Sequence, residues 1–306
     1  MIEVQQLTKK FGDTLAVDDL SFTVKPGIVT GFLGPNGSGK STTMRLILGL
    51  NSPTSGQALV NGKRFAELDS PLREVGALLD AKALHPGRSA RNHLRSLAIS
   101  NRIPVTRVDE VLDIVGLSEV ANRRAGDFSL GMSQRLGIAA ALLGDPSILM
   151  FDEPINGLDP EGIRWVRDFF QQLADEGRTV LVSSHLMSEM ALTAEHFIII
   201  GRGKLITEGT KEELAKSAVG TVHLRTPNRE LFKDLIATKQ WEAREEADSF
   251  VLEGVPANTI GDEAFAAGIV LHELSTREVS LEDAFMALTE SSVEYTGRRN
   301  RKGAQK

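Results

Sequence analysis

The chain has 306 residues, of which 41% are hydrophobic and 25% charged, a composition typical of a folded protein with room for two domains. Its formal net charge of −6 argues against a general nucleic-acid binder, and the lack of cysteine excludes disulfides, thiolate catalysis and Cys-based zinc sites. The sequence contains neither a run of about 18 apolar residues nor the apolar core of a signal peptide, so we expect a cytoplasmic chain without a membrane span.

The first two thirds of the chain alternate between strand-like and helix-like patterns. Residues 1–30 predict short strands and turns, and residues 28–33 predict a buried strand that runs into a glycine-rich loop. A buried helix follows and is expected to end near residues 51–53, and residues 85–145 predict a helical region. Three further apolar runs predict buried strands: residues 148–151, 179–183 and 197–200. This alternation predicts an α/β core.

The pattern changes near residue 219. The elements expected beyond it are strand 221–226, helix 228–239, strands 241–246 and 249–254, helix 257–267, strand 269–275 and helix 281–289. This order predicts a small α+β, ferredoxin-like domain. We therefore divide the chain into residues 1–218, an accessory domain over 219–290 and a basic tail over 291–306. The tail is either a solvated, disordered end or a contact for anionic lipid.

A phosphate-binding loop is predicted directly after the strand 28–33, where the sequence has the P-loop pattern G-x4-G-K-S. Glycines allow backbone N–H groups to turn inward around phosphate oxygens, and the next helix presents its N-terminus to the same anion. Lys40 would contact the β- and γ-phosphates of ATP or GTP, and Ser41 would bind magnesium. The alternative, a glycine-rich turn with a chance lysine, is disfavoured by the strand–loop–helix context. The expected nucleotide-binding residues are Gly34, Asn36, Gly37, Ser38, Gly39, Lys40, Ser41 and Thr42.

Two adjacent carboxylates follow the apolar strand 148–151. Asp152 is placed to hold magnesium, and Glu153 to orient and deprotonate an attacking water. Many apolar strands end at a polar turn by chance, so this pattern gains its weight from the P-loop upstream. The two motifs together predict nucleotide hydrolysis.

In combination, the motifs of residues 1 to about 215 resemble those of the ATPase subunit of ABC transporters. Phe128–Arg135 resembles the signature motif of this family, Asn156–Pro160 its D-loop, and His185 after a strand its switch histidine. Phe11 lies where an aromatic ring usually stacks on adenine. More loosely, the end of the second domain resembles that of the drug- and antibiotic-resistance exporters.

The resemblance implies a P-loop NTPase that binds ATP and Mg²⁺ and forms an ATP-dependent head-to-tail dimer. Ser129 and the Gly131 backbone would contact the γ-phosphate of the ATP held by the partner subunit, and Asp159 would extend toward the partner's P-loop. His185 would contact the γ-phosphate and the water, which makes it catalytic together with Lys40 and Glu153. A helix cap is the alternative role for Asp159, and a surface position for His185.

Three residues depart from the usual family pattern. Asp80 stands where a glutamine is usual, and its carboxylate can reach magnesium but cannot donate a hydrogen bond. Leu130 and Met132 replace the usual glycine and glutamine of the signature motif. Slow hydrolysis, or a more active partner subunit, would follow from these changes.

The function expected from this combination is ATP hydrolysis that powers a separate membrane permease, at the inner face of the cell membrane, with drugs, antibiotics or lipid-like compounds as cargo. The permease would dock near residues 80–100, on Leu84, Leu94 and Leu97. One alternative is an ABC protein acting on ribosomes or nucleic acid, which the single P-loop and acidic charge disfavour. A nucleotide-dependent regulatory module without turnover is the other.

Overall fold

The computed structural model describes residues 1–217 and 221–277, and these residues divide into two compact units, the first over residues 1–209 and the second from residue 210 onward. The elements of the first unit are β1 (Ile2–Phe11), β2 (Thr14–Val24), β3 (Val29–Leu33), α1 (Lys40–Ile47), β4 (Ser55–Val60), α2 (Pro71–Glu74), β5 (Val75–Leu78), α3 (Ala90–Ser100), α4 (Thr106–Ile114), α5 (Leu130–Leu142), β6 (Ile148–Asp152), α6 (Pro160–Asp175), β7 (Thr179–Ser184), α7 (Met187–Ala191), β8 (His196–Gly201) and β9 (Lys204–Thr210). The predicted helix 281–289 and the basic tail lie outside the described residues.

Two sheets form the first unit. One has the strand order β5-β6-β7-β3-β8-β9, with parallel pairing from β5 through β8, and the other is antiparallel with the order β2-β1-β4. Helix α1 contacts strands of both sheets, and its buried Met44 and Ile47 join the same apolar core as Leu7 and Met150. The core therefore holds fixed the loop that precedes α1.

The first two strands are longer than predicted and pair as a hairpin of 10 and 11 residues. Their apolar alternation is broken because Gln6 and Asp19 adopt positive φ angles of 47° and 49°, and the pairing register shifts between Val4 and Leu7. Helix α1 ends at Ile47, earlier than predicted, and Gly49 follows with a φ of 64°. These local conformations have no clear signal in residue spacing.

The predicted helical region contains α3, α4 and α5. The Ser89 hydroxyl accepts a hydrogen bond from Asn92 N at 3.3 Å and caps α3, and the Ser129 hydroxyl accepts from Met132 N at 3.2 Å and caps α5. Leu94 on α3 is 0% exposed. The prediction that Leu94 forms a surface groove for a permease is therefore wrong, because this side chain faces the interior.

The second unit contains α8 (Lys211–Ser217), β10 (Thr221–Arg225), α9 (Arg229–Lys239), β11 (Glu242–Glu245), β12 (Phe250–Glu253), α10 (Ala257–Ala266) and β13 (Glu273–Arg277). Its antiparallel sheet has the order β11-β12-β10-β13, in agreement with the predicted ferredoxin-like arrangement. The apolar core combines alternate residues of the strands with residues of helices α9 and α10: Val222, Leu224, Phe232, Phe250, Leu252, Ile260 and Ala264.

The last strand begins later than predicted, at Glu273 instead of residue 269. The preceding segment bonds elsewhere: Ile269 N donates to Ala264 O at 2.9 Å, and Val270 bonds to Asn228 and Thr226 at 3.0 and 2.6 Å. Within residues 1–217 and 221–277, no helix combines the length and the apolar character needed to cross a bilayer.

Candidate active site

Three parallel strands bring the predicted site motifs to one edge of the larger sheet. Leu33 at the end of β3 pairs with Ser184 of β7, and Asp152 at the end of β6 pairs with Ser183. Because parallel strands end at the same edge, the P-loop, the carboxylate pair and the segment before His185 lie next to one another. Ligands of open α/β sheets bind at this carboxyl edge.

The backbone of the P-loop leaves no room for a side chain at two of its glycines. A Cβ on Gly34 would lie 2.4 Å from Ile200 O, and a Cβ on Gly39, whose φ is 105°, would lie 2.6 Å from Ala16 O. The Ser38 hydroxyl is buried and has no hydrogen-bond partner among the described residues. A tight loop with an unpaired buried donor is suited to an anion that supplies the missing acceptor.

A cleft of about 220 Å³ lies beside this loop. Its lining consists of Ala16, the predicted nucleotide-binding residues from Asn36 to Thr42, and Glu153. Since the helix N-terminus of α1 opens into the same cleft, the site combines backbone donors with the charge of Lys40. The general-base candidate Glu153, which directly follows β6, therefore borders the predicted phosphate site.

Lys40 is only 6% exposed. Its Nζ donates to Gly34 O at 2.7 Å and to Pro35 O at 3.3 Å, and lies 3.7 Å from Glu153 Oε1. Burial lowers the pKa of Lys40, and the nearby carboxylates of Glu153 and Asp152 partly counter this effect. The nearby carboxylates offset only part of the cost of burying the Lys40 charge, so a phosphate anion that binds here would stabilise the ammonium further.

Glu153 is held from several sides. Its backbone has a φ of 48° and its N–H donates to the Ser183 hydroxyl at 3.0 Å, while that hydroxyl donates to Asp152 Oδ1. Glu153 Oε2 lies 2.9 Å from His185 Nδ1, and Oε1 faces Lys40. The geometry therefore unites the three side chains that the sequence predicts as catalytic.

The amino-acid sequence matches a family described as ABC transporter over residues 17–156. The bacitracin transport ATP-binding protein BcrA of Bacillus licheniformis is 43% identical over 219 residues, covering 71% of this chain and 72% of that protein. The lantibiotic transport ATP-binding protein SrtF of Streptococcus pyogenes is 36% identical over 208 residues, covering 68% of this chain and 90% of that protein. This chain belongs to the ABC transporter ATP-binding proteins.

Solved structures agree with this assignment. A dimeric ATP-binding cassette in a post-hydrolysis state, bound to ADP and Pi, aligns with a TM-score of 0.63 and 26% identity, covering 69% of this chain and 98% of that chain. As an ABC ATPase subunit, the chain binds and hydrolyses ATP and powers a separate membrane permease. Residues 220–282 match a domain of unknown function.

Several other predicted site residues of this ABC ATPase are not among the residues that line the cleft. The Ser129 hydroxyl caps α5, and Asp159 Oδ1 accepts from Gly162 N at 2.9 Å and caps α6. Phe11 is 47% exposed with Lys9 Nζ 4.7 Å from its ring centroid, and Asp80 is exposed with Oδ1 accepting from Lys82 N at 2.8 Å. The predicted roles of these residues therefore need a bound nucleotide or a second subunit.

Two partners of Glu153 were missed by sequence reasoning. Asn156 Nδ2 donates to Glu153 Oε2 at 3.3 Å, and the buried Gln134 has Nε2 3.5 Å from Glu153 O. Both residues lie within segments that resemble ABC motifs, Gln134 in the signature segment and Asn156 in the D-loop segment. Their positions within these motifs could have suggested a role in the site. The contacts themselves could not be predicted, because they join residues up to 19 apart in sequence.

Gly39→Ala is expected to weaken ATP binding by at least about tenfold and to destabilise the fold by more than Gly27→Ala. Both glycines have positive φ, 105° and 78°, which alone costs an alanine about 1–2 kcal/mol. Only the Gly39 Cβ meets another atom, because the space around Gly27 is open to 4 Å. Denaturant unfolding and ATP titration measure the two effects. Equal losses of stability and of ATP affinity in the two variants would contradict the role given to the short distance between a Gly39 Cβ and Ala16 O.

Proposed function

We propose that this ABC ATPase drives the export of peptide antibiotics or other amphiphilic, lipid-like drugs through its permease. The hydrolytic role is supported by the position of the Glu153 carboxylate, which lies between Lys40 and His185 at the edge of the P-loop cleft. The cargo class rests on the relatives, one named for bacitracin transport and one for lantibiotic transport. The subunit acts at the inner face of the cell membrane, where it meets the permease.

In the proposed reaction, Glu153 accepts a proton from a water molecule while the water oxygen bonds to the γ-phosphorus. The bond from that phosphorus to the bridging oxygen breaks, and ADP leaves with the electron pair. Lys40 stabilises the negative charge on the β- and γ-phosphates, and His185 orients Glu153 through Oε2 and contacts the γ-phosphate. The structure holds Glu153 beside both Lys40 and His185, which supports this division of roles.

We propose that Ser41 and Asp152 would hold Mg²⁺, because their side chains are hard oxygen donors. Ser41 lines the cleft, and Asp152 directly precedes Glu153. Among the described residues, no cluster of three or more histidine or acidic side chains forms a metal cage, and Mg²⁺ typically takes only one or two protein ligands beside phosphate and water. Bound Mg²⁺ would neutralise phosphate charge. Asp80 is the weaker proposed ligand, since its carboxylate already closes a turn with Lys82.

We further propose that two copies pair around two ATP molecules, with Ser129, Gly131 and Asp159 facing the partner. Each of these residues lies at or near the start of a helix, α5 or α6, where backbone N–H groups favour an anion. The permease contact is proposed at a cleft of about 270 Å³ that includes Leu84, Phe128 and Leu130. This placement replaces the groove that included Leu94.

The transport proposal is tested by first seeking a membrane protein among the products of the neighbouring genes. The two proteins are co-expressed, purified together and reconstituted in liposomes with the ATPase facing outward, and uptake of bacitracin is followed as the probe. We expect ATP-dependent uptake, and ATPase activity that rises with bacitracin. Normal ATPase activity with no co-purifying membrane protein and no uptake would contradict the exporter assignment without affecting the ATPase assignment. Uptake of an unrelated lipid-like drug alone would contradict the peptide cargo.

A further inference from the structure

The turn after Glu153 returns to contact the Glu153 side chain. Asn156 N donates to Glu153 O at 3.3 Å, and Asn156 Nδ2 donates to Glu153 Oε2, also at 3.3 Å. The same carboxylate oxygen lies 2.9 Å from His185 Nδ1. Oε2 thus contacts two side chains on different segments, while Oε1 faces Lys40 at 3.7 Å. Together these contacts fix the plane of the carboxylate.

The turn that carries Asn156 is itself packed against the start of α5. Gly157 has a φ of 74°, and a Cβ at this position would lie 2.1 Å from Leu130 Cδ2. One residue further along each segment, a Cβ on Gly131 would lie 3.3 Å from Leu158 Cδ2. The leucine of each segment therefore packs against the glycine of the other segment. A glycine in place of Leu130 would have no side chain to fill this contact.

We propose that Asn156 is a positioning residue for Glu153, and that Leu130 holds the turn that carries Asn156. This inference rests on the proposed function, in which Glu153 deprotonates the attacking water. A glutamate side chain has three rotatable torsions, and fixing it before water binds removes an entropic cost from the reaction. Leu130 acts indirectly, through the shape of the turn at Gly157, and so connects the signature segment to the base of its own subunit.

The inference predicts that Asn156→Ala lowers kcat by about tenfold, the effect of losing one hydrogen bond to a charged group, with KM for ATP changed by less than about twofold. Asn156→Asp keeps the shape of the side chain but removes its N–H donor, so it is expected to lose at least as much. Asn122→Ala, at an exposed asparagine, is the matched control. Steady-state phosphate release gives kcat and KM, and thermal unfolding reports whether each variant is folded.

Normal turnover in both Asn156→Ala and Asn156→Asp would overturn the inference. A normal Asn156→Asp with an impaired Asn156→Ala would also overturn it, since shape alone would then be sufficient. A rise in KM with an unchanged kcat would place Asn156 in ATP binding instead of base positioning. If Asn156→Ala fails to fold, the isosteric Asn156→Asp decides the question alone.

The contribution of Leu130 is tested with Leu130→Ala, with Leu130→Met as the conservative variant that retains the packing, and with the double variant Leu130→Ala/Asn156→Ala. We expect Leu130→Ala to lower kcat about threefold or more, Leu130→Met to restore most of it, and the double variant to match Asn156→Ala. Residues that act through one contact are non-additive. Fully additive losses, or a Leu130→Met as impaired as Leu130→Ala, would remove Leu130 from the inference.

Glu153→Gln separates this inference from the function on which it rests. If Glu153→Gln retains turnover, the proposed base is wrong and no positioning role remains. If Glu153→Gln is inactive while both Asn156 variants are normal, the proposed function stands and only the positioning inference fails. The two failures therefore give different results in the same phosphate-release assay.

Discussion

Replacing Glu153 with glutamine is expected to lower kcat for ATP hydrolysis by about 10²–10⁴-fold, the usual contribution of a general base. Glutamine keeps the length of the side chain, and its amide oxygen can still accept from Asn156 and His185, but it cannot take a proton from water. The ATP affinity is expected to stay equal or to become tighter. The substitution removes a negative charge that borders the phosphate cleft and lies 3.7 Å from Lys40 Nζ.

Phosphate release under saturating ATP measures the turnover, and titration with ATP at low temperature measures the affinity. Glu195→Gln is the matched control, because Glu195 is exposed and its backbone N–H, which bonds to Val29 O at 3.0 Å, is unaffected by the substitution. Turnover of Glu153→Gln within about tenfold of the parent chain would show that another group activates the water.

The positions of the P-loop and of the carboxylate pair follow from local sequence alone. A strand, a glycine-rich loop and a helix are consecutive in the chain, and an apolar run that ends in Asp152 and Glu153 can be recognised without knowledge of its neighbours. Their meeting at one sheet edge required only that both strands be parallel, which the alternation of helices and strands predicted. The second unit was predictable for a similar reason: Val222 and Leu224 alternate with polar residues, and Phe250–Leu252 is a short apolar run of the kind that forms a buried strand.

The contacts between motifs were not predictable from spacing. Leu130 and Gly157 are 27 positions apart, and nothing in either segment alone indicates that the leucine side chain fills the space above the glycine. The backbone conformation of Glu153, with a φ of 48°, is equally hidden, because a non-glycine residue adopts it only under tertiary constraint. For the same reason the sequence identified the candidate base but not the hydrogen bonds that orient it.

Replacing Lys40 with methionine is expected to lower the ATP affinity by at least about 100-fold, since a charged group that binds phosphate contributes about 3 kcal/mol. The fold is expected to keep its stability or to gain slightly. The buried ammonium carries a desolvation cost, shown by its lowered pKa, and methionine fills a similar volume without that cost. The cost applies while Lys40 is protonated in the folded protein, below its folded pKa, and is relieved as the pH rises toward 10.5.

The combination of lost binding with retained stability is the informative outcome, because it separates a residue kept for its ligand from one kept for the fold. Lys63→Met, at an exposed lysine, controls for the general effect of removing a positive charge. ATP titration and thermal unfolding near pH 7.5 are the measurements. ATP binding at parental affinity in Lys40→Met would contradict the phosphate role of the P-loop lysine. A loss of several degrees in Tm would instead show that the bonds from Lys40 to Gly34 O and Pro35 O outweigh the cost of burying its charge.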